Sequence, residues 1–473
     1  ASIPGDLMRS ATLLATLMVA GLWQPAAAHD QPRNTLVPAG HHAYRPGALP
    51  DRVILTVTAD PATSQSVSWR TGPGVGVTEA QLAIATAHPG LHLQAATVTG
   101  SQRALLSENG LALHHQVRFD DLQPDTLYAY RVRGQDTWSE WLQFRTARDD
   151  DAPFSFLYFG DAQNSVRSHF SRIIREARLE LPRPALMLHA GDLVNLREGL
   201  HDDEWGEWFE AGGFLYAMTP NVVVAGNHEH LNVPLDDGAE ARVLSEHFRA
   251  QFATPGNGVD GLEDTVFATR YQGVLFAVLD STAALEDEAS AMRQAAWLDA
   301  LLAADDSRWV IVAQHHPLFS VSLGRDNPTL RAHWKPVFDR HRVDLVLQGH
   351  DHIYGRGANV PEGASRMDGE VGTVYLVSVA GPKMYLAAED RSAHQRIGAD
   401  RQLFQILHVA ADRIGFEART ATGEVYDAFD LVRQPDGSNR LDEWGHRDRP
   451  ETACGNPTPP RETRCWEGTE LAH

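Results

Sequence analysis

Positive charge is scarce in this chain. Its 473 residues hold 41 Lys and Arg against 62 Asp and Glu, a formal net charge of −21. Acidic residues are spread along the whole length, which argues against nucleic acid or an anionic membrane as a partner. An anionic ligand meets a repulsive overall field, so any attraction must be local. Long apolar runs are also missing after the first. Residues 11–22 form that run, between Met8-Arg9 and Ala26-Ala27-Ala28. A basic start, a short apolar core and an A-x-A end spell a secretory signal at 1–28, cleaved after Ala28. Residues 1–7 read as a scar or an upstream start. No later run reaches about 18 residues, so a soluble mature protein is expected, periplasmic or secreted. Cysteine is nearly absent. The only two, Cys454 and Cys465, lie close together in a Pro-rich tail at 433–473. In an exported protein such a pair predicts a disulfide stapling the loop between them, with two free thiols as the alternative. No repeat of about 20–50 residues is visible.

What is present falls into two patterns. Residues 29–50 are an aperiodic lead-in arm, and His41-His42 there reads as solvent-exposed. Residues 51–148 give only β signals: stretches at 53–58, 66–70, 115–119, 122–132 and 141–146, separated by turn residues. That spacing predicts an all-β sandwich of about 100 residues. A polar junction, Arg148-Asp149-Asp150-Asp151-Ala152-Pro153, then ends the pattern. From 153 to 432 strands alternate with helices. Apolar strands are predicted at 154–159, 185–188, 221–225, 274–279, 309–313 and 343–347, and helices at 166–179, 203–210, 242–252, 291–303 and 329–340. Uninterrupted apolar runs between helices indicate buried, largely parallel strands. Stretches at 373–379, 402–409 and 413–418 read as antiparallel strands. The two β-α-β passes, 154–226 and 274–350, predict an α/β sandwich of two mixed sheets flanked by helices. Trp205 and Trp208 mark 203–210 as a packing helix.

Five polar clusters each come directly after an apolar strand. They are Gly160-Asp161-Ala162-Gln163, Gly191-Asp192, Gly226-Asn227-His228-Glu229, Gln314-His315-His316-Pro317 and Gly349-His350-Asp351-His352. Parallel strands end on one edge of their sheet, so the clusters can converge. Two histidines at i and i+2 point the same way from an extended segment. A carboxylate such as Asp192 can bridge two cations, with imidazole nitrogen and Asp or Asn oxygen completing the set. Those donors suit Fe, Zn or Mn better than Ca or Mg. Two such ions supply the hydroxide and the counter-charge that phosphate-ester hydrolysis needs.

The order Gly-Asp, Gly-Asp, Gly-Asn-His-Glu, His, Gly-His-x-His resembles the calcineurin-like metallophosphoesterases. With the sandwich in front, residues 51–430 resemble the bacterial branch of the purple acid phosphatases. The front segment resembles a fibronectin type III or purple acid phosphatase N-terminal domain, with Trp69 in the core and Tyr128 at a tyrosine corner. The resemblance implies a metal-dependent phosphoric ester hydrolase. It implies that Asp161, Asp192 and His352 bind one metal, that Asn227, His315 and His350 bind the second, and that Asp192 bridges. It also implies that His228 contacts the phosphate and protonates the leaving oxygen. Two positions depart from the pattern. Asn195 stands where purple acid phosphatases carry a metal-binding tyrosine, and Gln163 stands where many relatives carry histidine. Gln163 and Asn195 are therefore candidate oxygen or water ligands, and weak ferric preference with no purple colour is expected.

The expected reaction is attack on a phosphate monoester by hydroxide held between two metals, with a small phosphorylated molecule as substrate. Asn227, His228, His316 and Arg325 are candidate substrate contacts; Asn327, His230, Tyr354 and Lys383 are weaker ones. Two rivals stay open: a phosphodiesterase using the same site, and a non-catalytic binding or adhesion protein, which Gln163 and Asn195 keep in play. The oligomeric state is not legible.

Overall fold

The strand Phe154–Phe159 sets the plan of the α/β part. Its side chains alternate between two faces. In the computed structural model, which describes residues 34–235, 238–359, 369–444, 449–454 and 464–466, Phe156 and Tyr158 point into a core between two sheets. Leu157 and Phe159 point outward under helices. The strand pairs in parallel with Met187–His189, which pairs in parallel with Asn221–Val223. On its other side it pairs antiparallel with Leu403–Val409. Arg413–Thr420, Val425–Arg433, Asn439–Glu443 and Gly369–Val371 extend that side.

The second sheet has seven strands. Val274–Val278, Trp309–Ala313, Leu345–Gln348 and Val374–Val377 run parallel. Phe267–Tyr271, Tyr354–Ala358 and Arg396–Gly398 add antiparallel pairs at its ends. Phe276, Ile311 and Leu347 face Phe156, Leu188 and Val222 across the central core. The helix Val166–Glu180 buries Val166, Phe170, Ile173, Ile174 and Ala177 on the outer face of the first sheet, a spacing that gives one helical stripe. The helix Asp203–Gly212 lies beside it, and Trp208 stacks on Tyr216 with ring centroids 4.2 Å apart. Glu288–Ala303, Pro328–His333 and Lys335–His341 cover the second sheet. The expected two-sheet α/β sandwich is thus the one observed.

Residues in front form the all-β sandwich. One sheet holds Asp51–Thr56, Gln65–Thr71, Gly110–Phe119 and Ser101–Ser107; the other holds Ala96–Thr99, Glu79–Ile84, Leu127–Val132 and Leu142–Arg145. Trp69 is buried, and its indole N–H donates to the Arg133 carbonyl at 3.0 Å. The Gln123 N–H donates to the Tyr128 hydroxyl at 2.9 Å, closing a tyrosine corner. The first of these sheets does not end at the domain junction. Thr56 pairs in parallel with Asn221, so sandwich and α/β domain share one twelve-stranded sheet.

Two expected helices differ. The stretch 242–252 begins as the strand Glu240–Leu244, hairpinned with His230–Pro234. The helix starts only after Ser245, whose hydroxyl accepts the His247 N–H at 3.2 Å. The stretch 329–340 is two short helices broken at Trp334, because Pro336 lacks an N–H and clashes with the preceding turn. Cys454 and Cys465 form a disulfide, as expected, with Cα atoms 5.7 Å apart. The signal region and the loop 455–460 lie outside the described residues. Among those described, no helix is long and apolar enough to cross a membrane.

Candidate metal centre

All five polar clusters leave the C-terminal ends of buried strands. Asp161, Asp192 and Asn227 come from the first sheet; His315, His350 and His352 come from the second. The sheets face each other, so both sets meet at one end of the central core. Ligand atoms of Asp161, Asp192 and His352 lie within 4.8 Å of one another. Those of His315, His316 and His350 do the same. Asp192 joins the groups. Its Oδ2 lies 3.2 Å from His315 Nε2 and 2.8 Å from the Gln163 amide nitrogen. His352 Nε2 lies 3.2 Å from Asp161 Oδ2 and 3.0 Å from that amide nitrogen. His315 Nε2 is also 3.1 Å from Asn227 Oδ1 and 3.2 Å from His350 Nδ1.

The backbone is bent to achieve this. Asp192, His350 and His352 have φ of 51°, 73° and 52°, the left-handed region that non-glycine residues rarely adopt. Two glycines are dictated by closeness. A Cβ on Gly226 would stand 2.3 Å from Asp192 Oδ1, and one on Gly349 would stand 2.4 Å from Asp161 Oδ1. The buried Glu229 carboxylate accepts the N–H groups of Gly226, Asp192 and Leu193 at 2.7, 2.8 and 2.8 Å, which fixes the Asp192 turn. Asp161 Oδ1 accepts the His350 N–H at 2.6 Å. His315 Nδ1 donates to the Ala190 carbonyl at 2.8 Å, and His352 Nδ1 donates to the Lys383 carbonyl at 3.0 Å. Each of these bonds leaves Nε2 facing the pocket, the usual support of a metal-binding imidazole.

The charge pattern asks for a cation. Burial, with Asp192 close by, pushes Asp161 up to about 7 even though His315 opposes it. Burial also opposes ionisation of Asp192, yet His315 and His228 hold it below the usual carboxylate range. Burial would lower His315 as well, but Asp192 and Asp161 raise it to about 9. The imidazole thus serves as counter-ion to two carboxylates. Gln163 Oε1 is buried without a hydrogen-bond partner, while its amide nitrogen faces Asp192 and His352. Rotating the amide by 180° exchanges these atoms and turns an oxygen donor to that gap. Carboxylate, imidazole and amide donors in this arrangement fit transition-metal ions.

The other expected residues divide. The His228 N–H donates to Asp192 Oδ1 at 2.8 Å, its Nδ1 donates to the Asn195 carbonyl, and its Nε2 is 3.9 Å from Asp192 Oδ2. Asn195 engages through its main chain, its N–H donating to Glu204 Oε2 at 2.5 Å. His316, expected at the substrate, joins the second cluster, with its ring centroid 4.0 Å from that of His350. Arg325 donates to the His350 carbonyl at the rim. The weaker candidates are mostly held elsewhere. His230 pairs with Asp280 at 3.4 Å, the Tyr354 hydroxyl donates to Asp427 at 2.6 Å, and the Asn327 amide donates to the Pro317 carbonyl at 2.8 Å. Glu204 and Tyr385 were not singled out from sequence. Glu204 lies in the packing helix with no motif around it, and the Tyr385 ring lies 4.8 Å from that of His352.

Residues 50–146 match the purple acid phosphatase N-terminal domain, and residues 154–354 match the calcineurin-like phosphoesterases. The chain therefore carries a calcineurin-like phosphoesterase domain behind a purple acid phosphatase N-terminal domain. It is 28% identical over 327 residues to an uncharacterised Mycobacterium tuberculosis protein, covering 62% of this chain and 60% of that one. It is 27% identical over 263 residues to the Fe(3+)-Zn(2+) purple acid phosphatase 12 of Arabidopsis thaliana, covering 52% of each. The chain thus spans between half and three-fifths of these relatives. The fold is shared with purple acid phosphatase PPD1 of yellow lupin (TM-score 0.67, 17% identity, 82% of this chain and 75% of that one). It is shared also with PhoD (TM-score 0.61, 13% identity, 87% and 95%).

Proposed function

We propose that this chain is an exported two-metal phosphoric ester hydrolase acting on phosphate monoesters. The observation that supports this best is the position of Asp192, whose carboxylate lies between two ligand clusters supplied by facing sheets. In this reading Asp161, Asp192 and His352 hold one ion, with the Gln163 amide oxygen beside them. Asn227, His315 and His350 hold the other, with His316 adjacent, and Asp192 is shared. Two transition-metal ions, Fe, Zn or Mn, supply a nucleophile at neutral pH and counter-charge for the phosphoryl oxygens. His228 is held through Nδ1 by the Asn195 carbonyl, so its Nε2 faces the pocket. As the imidazolium, protonated on both nitrogens, it donates from Nε2 to a phosphoryl oxygen and passes that proton to the leaving oxygen, returning to the neutral ring. Glu229 keeps the Asp192 turn in register, and Arg325 supplies positive charge at the rim. The signal-like start and the disulfide support a periplasmic or secreted site of action.

The test compares hydrolysis of p-nitrophenyl phosphate with bis-p-nitrophenyl phosphate by the metal-loaded protein. The monoester should have the higher kcat/KM. A higher value for the diester would convert the assignment to a phosphodiesterase, and no hydrolysis of either would favour the binding-protein alternative.

A further inference from the structure

Three cations gather around one aromatic ring at the edge of the centre. The Arg325 guanidinium lies 4.5 Å from the Tyr385 ring centroid, that of Arg464 lies 5.3 Å away, and the Lys383 ammonium lies 5.6 Å away. The same ring lies 4.8 Å from that of His352, and the Tyr385 N–H donates to the His352 carbonyl at 3.4 Å. The group is therefore built onto a candidate ligand. In a chain of net charge −21, this concentration of positive charge runs against the composition.

The cations come from three separate segments. Arg325 stands on the loop after His315-His316. Lys383 is buried next to the short strand Met384–Tyr385. Arg464 arrives from the far end of the chain, on the strand Arg464–Trp466, whose register sets Arg464 opposite Tyr385 and Trp466 opposite Met384. Cys465, in the middle of that strand, is bonded to Cys454. The disulfide thus anchors the segment that carries the third cation. The carboxylate within reach of Arg325, Asp351, lies 3.5 Å from it. Asp351's other oxygen already accepts the Ser320 hydroxyl and the Val321 and Ser322 N–H groups at 2.6, 2.6 and 3.2 Å.

A single phosphate needs little beyond two metal ions and His228 to offset its charge. The three cations grouped on one ring beside the centre are further donors, and their placement fits a second phosphate. We propose that Arg325, Lys383, Arg464 and the Tyr385 ring form an anion subsite beside the reacting phosphate. It selects phosphate monoesters that carry a second phosphate group. The proposal rests on the phosphatase reading above. Guanidinium and ammonium groups bind phosphate through charge-assisted hydrogen bonds, and Arg does so in bidentate fashion.

The test uses the metal-loaded full chain with a matched pair, propane-1,3-diol monophosphate and propane-1,3-diol bisphosphate. The wild type should show kcat/KM at least about tenfold higher for the bisphosphate, the size of one charge-assisted hydrogen bond. Arg464→Gln should lower that ratio about tenfold, and Arg464→Lys should recover part of it. If Arg464→Gln does not fold, Arg325→Gln, on an independent loop, should lower the ratio instead. Equal kcat/KM for both substrates in the wild type, or a ratio that no charge-removing variant changes, overturns the subsite. If the wild type hydrolyses neither compound, the phosphatase reading falls by itself. Calorimetric titration with the intact bisphosphate then decides the subsite. Tighter binding than the monophosphate, weakened by Arg464→Gln, supports it, and equal binding overturns it.

Discussion

Two clusters of buried charge, one along the twelve-stranded sheet and one where the strand ends of both sheets meet, are built in opposite ways. At the seam between the sandwich and the α/β domain, Asp202 receives Arg52 at 2.6 Å and Arg70 at 2.9 Å. The Asn109 amide adds a bond at 3.1 Å, and Asp51 takes the rest of the Arg70 fork at 2.8 and 2.7 Å. Every carboxylate oxygen of Asp202 is met by a guanidinium. At the strand ends, Asp161 and Asp192 are met by imidazoles and backbone N–H groups instead. The seam neutralises itself and holds two domains together. The strand-end cluster meets its two carboxylates with imidazoles, groups that can give up a proton and ligate a cation.

Substitutions should separate the two. Asp192→Ala should lower phosphatase activity by at least about 1000-fold, because both ligand clusters lose their common member. The metal-free variant should keep the wild-type secondary structure, read by circular dichroism. Near wild-type activity would refute the bridging role. Asp202→Asn should do the reverse. Breaking a buried ion pair costs about 3–5 kcal/mol, read as a lower unfolding midpoint in denaturant, while the folded fraction keeps its metal. His228→Asn should lower kcat about 100-fold with metal content unchanged. Glu229→Gln removes charge from the acceptor of three N–H groups and should weaken metal binding about 10–100-fold, measured by competition with a chelator.

The smallest effect concerns acid. Burial alone would raise the Asp202 pKa, but Arg52, His247 and Arg70 hold it well below the usual carboxylate range. A depressed folded pKa gives stability that is present above the unfolded value of about 3.9 and is lost as pH falls through the folded one. The wild type should therefore lose stability below about pH 4, and Asp202→Asn should lose less over the same interval. Parallel losses in the two proteins would show that the pair does not titrate in that window.

Much of the plan was legible because its signals are local. Asp161, Asp192, Asn227, His315, His350 and His352 each come after an apolar run, and parallel strands deliver their next residues to a common edge. Glu79–Ile84, Ser101–Ser107 and the hairpin ending at Leu244 were not read, because their exposed or mixed faces lack a clean alternation. The seam was invisible. Arg52, Arg70 and Asp202 have no motif: the pairing of Asp51–Thr56 with Gln65–Thr71 sets the two arginines side by side, and Asp202 reaches them across the junction. His316 was expected at the substrate as a residue of the loop after the fourth cluster's strand. After Ala313 the chain turns, and both His315 and His316 face His350. Tyr385 and Arg464 lie far apart in sequence and meet through a two-residue pairing that no spacing rule reveals.

The central claim is that the strand-end cluster binds two metal ions. Metal content per chain after reconstitution with Fe, Zn or Mn, read by elemental analysis on wild type and Asp192→Ala, tests it most directly. The account predicts two equivalents in the wild type and fewer than one in the variant. Fewer than one in the wild type, with phosphate-ester hydrolysis that survives exhaustive chelation, would contradict it.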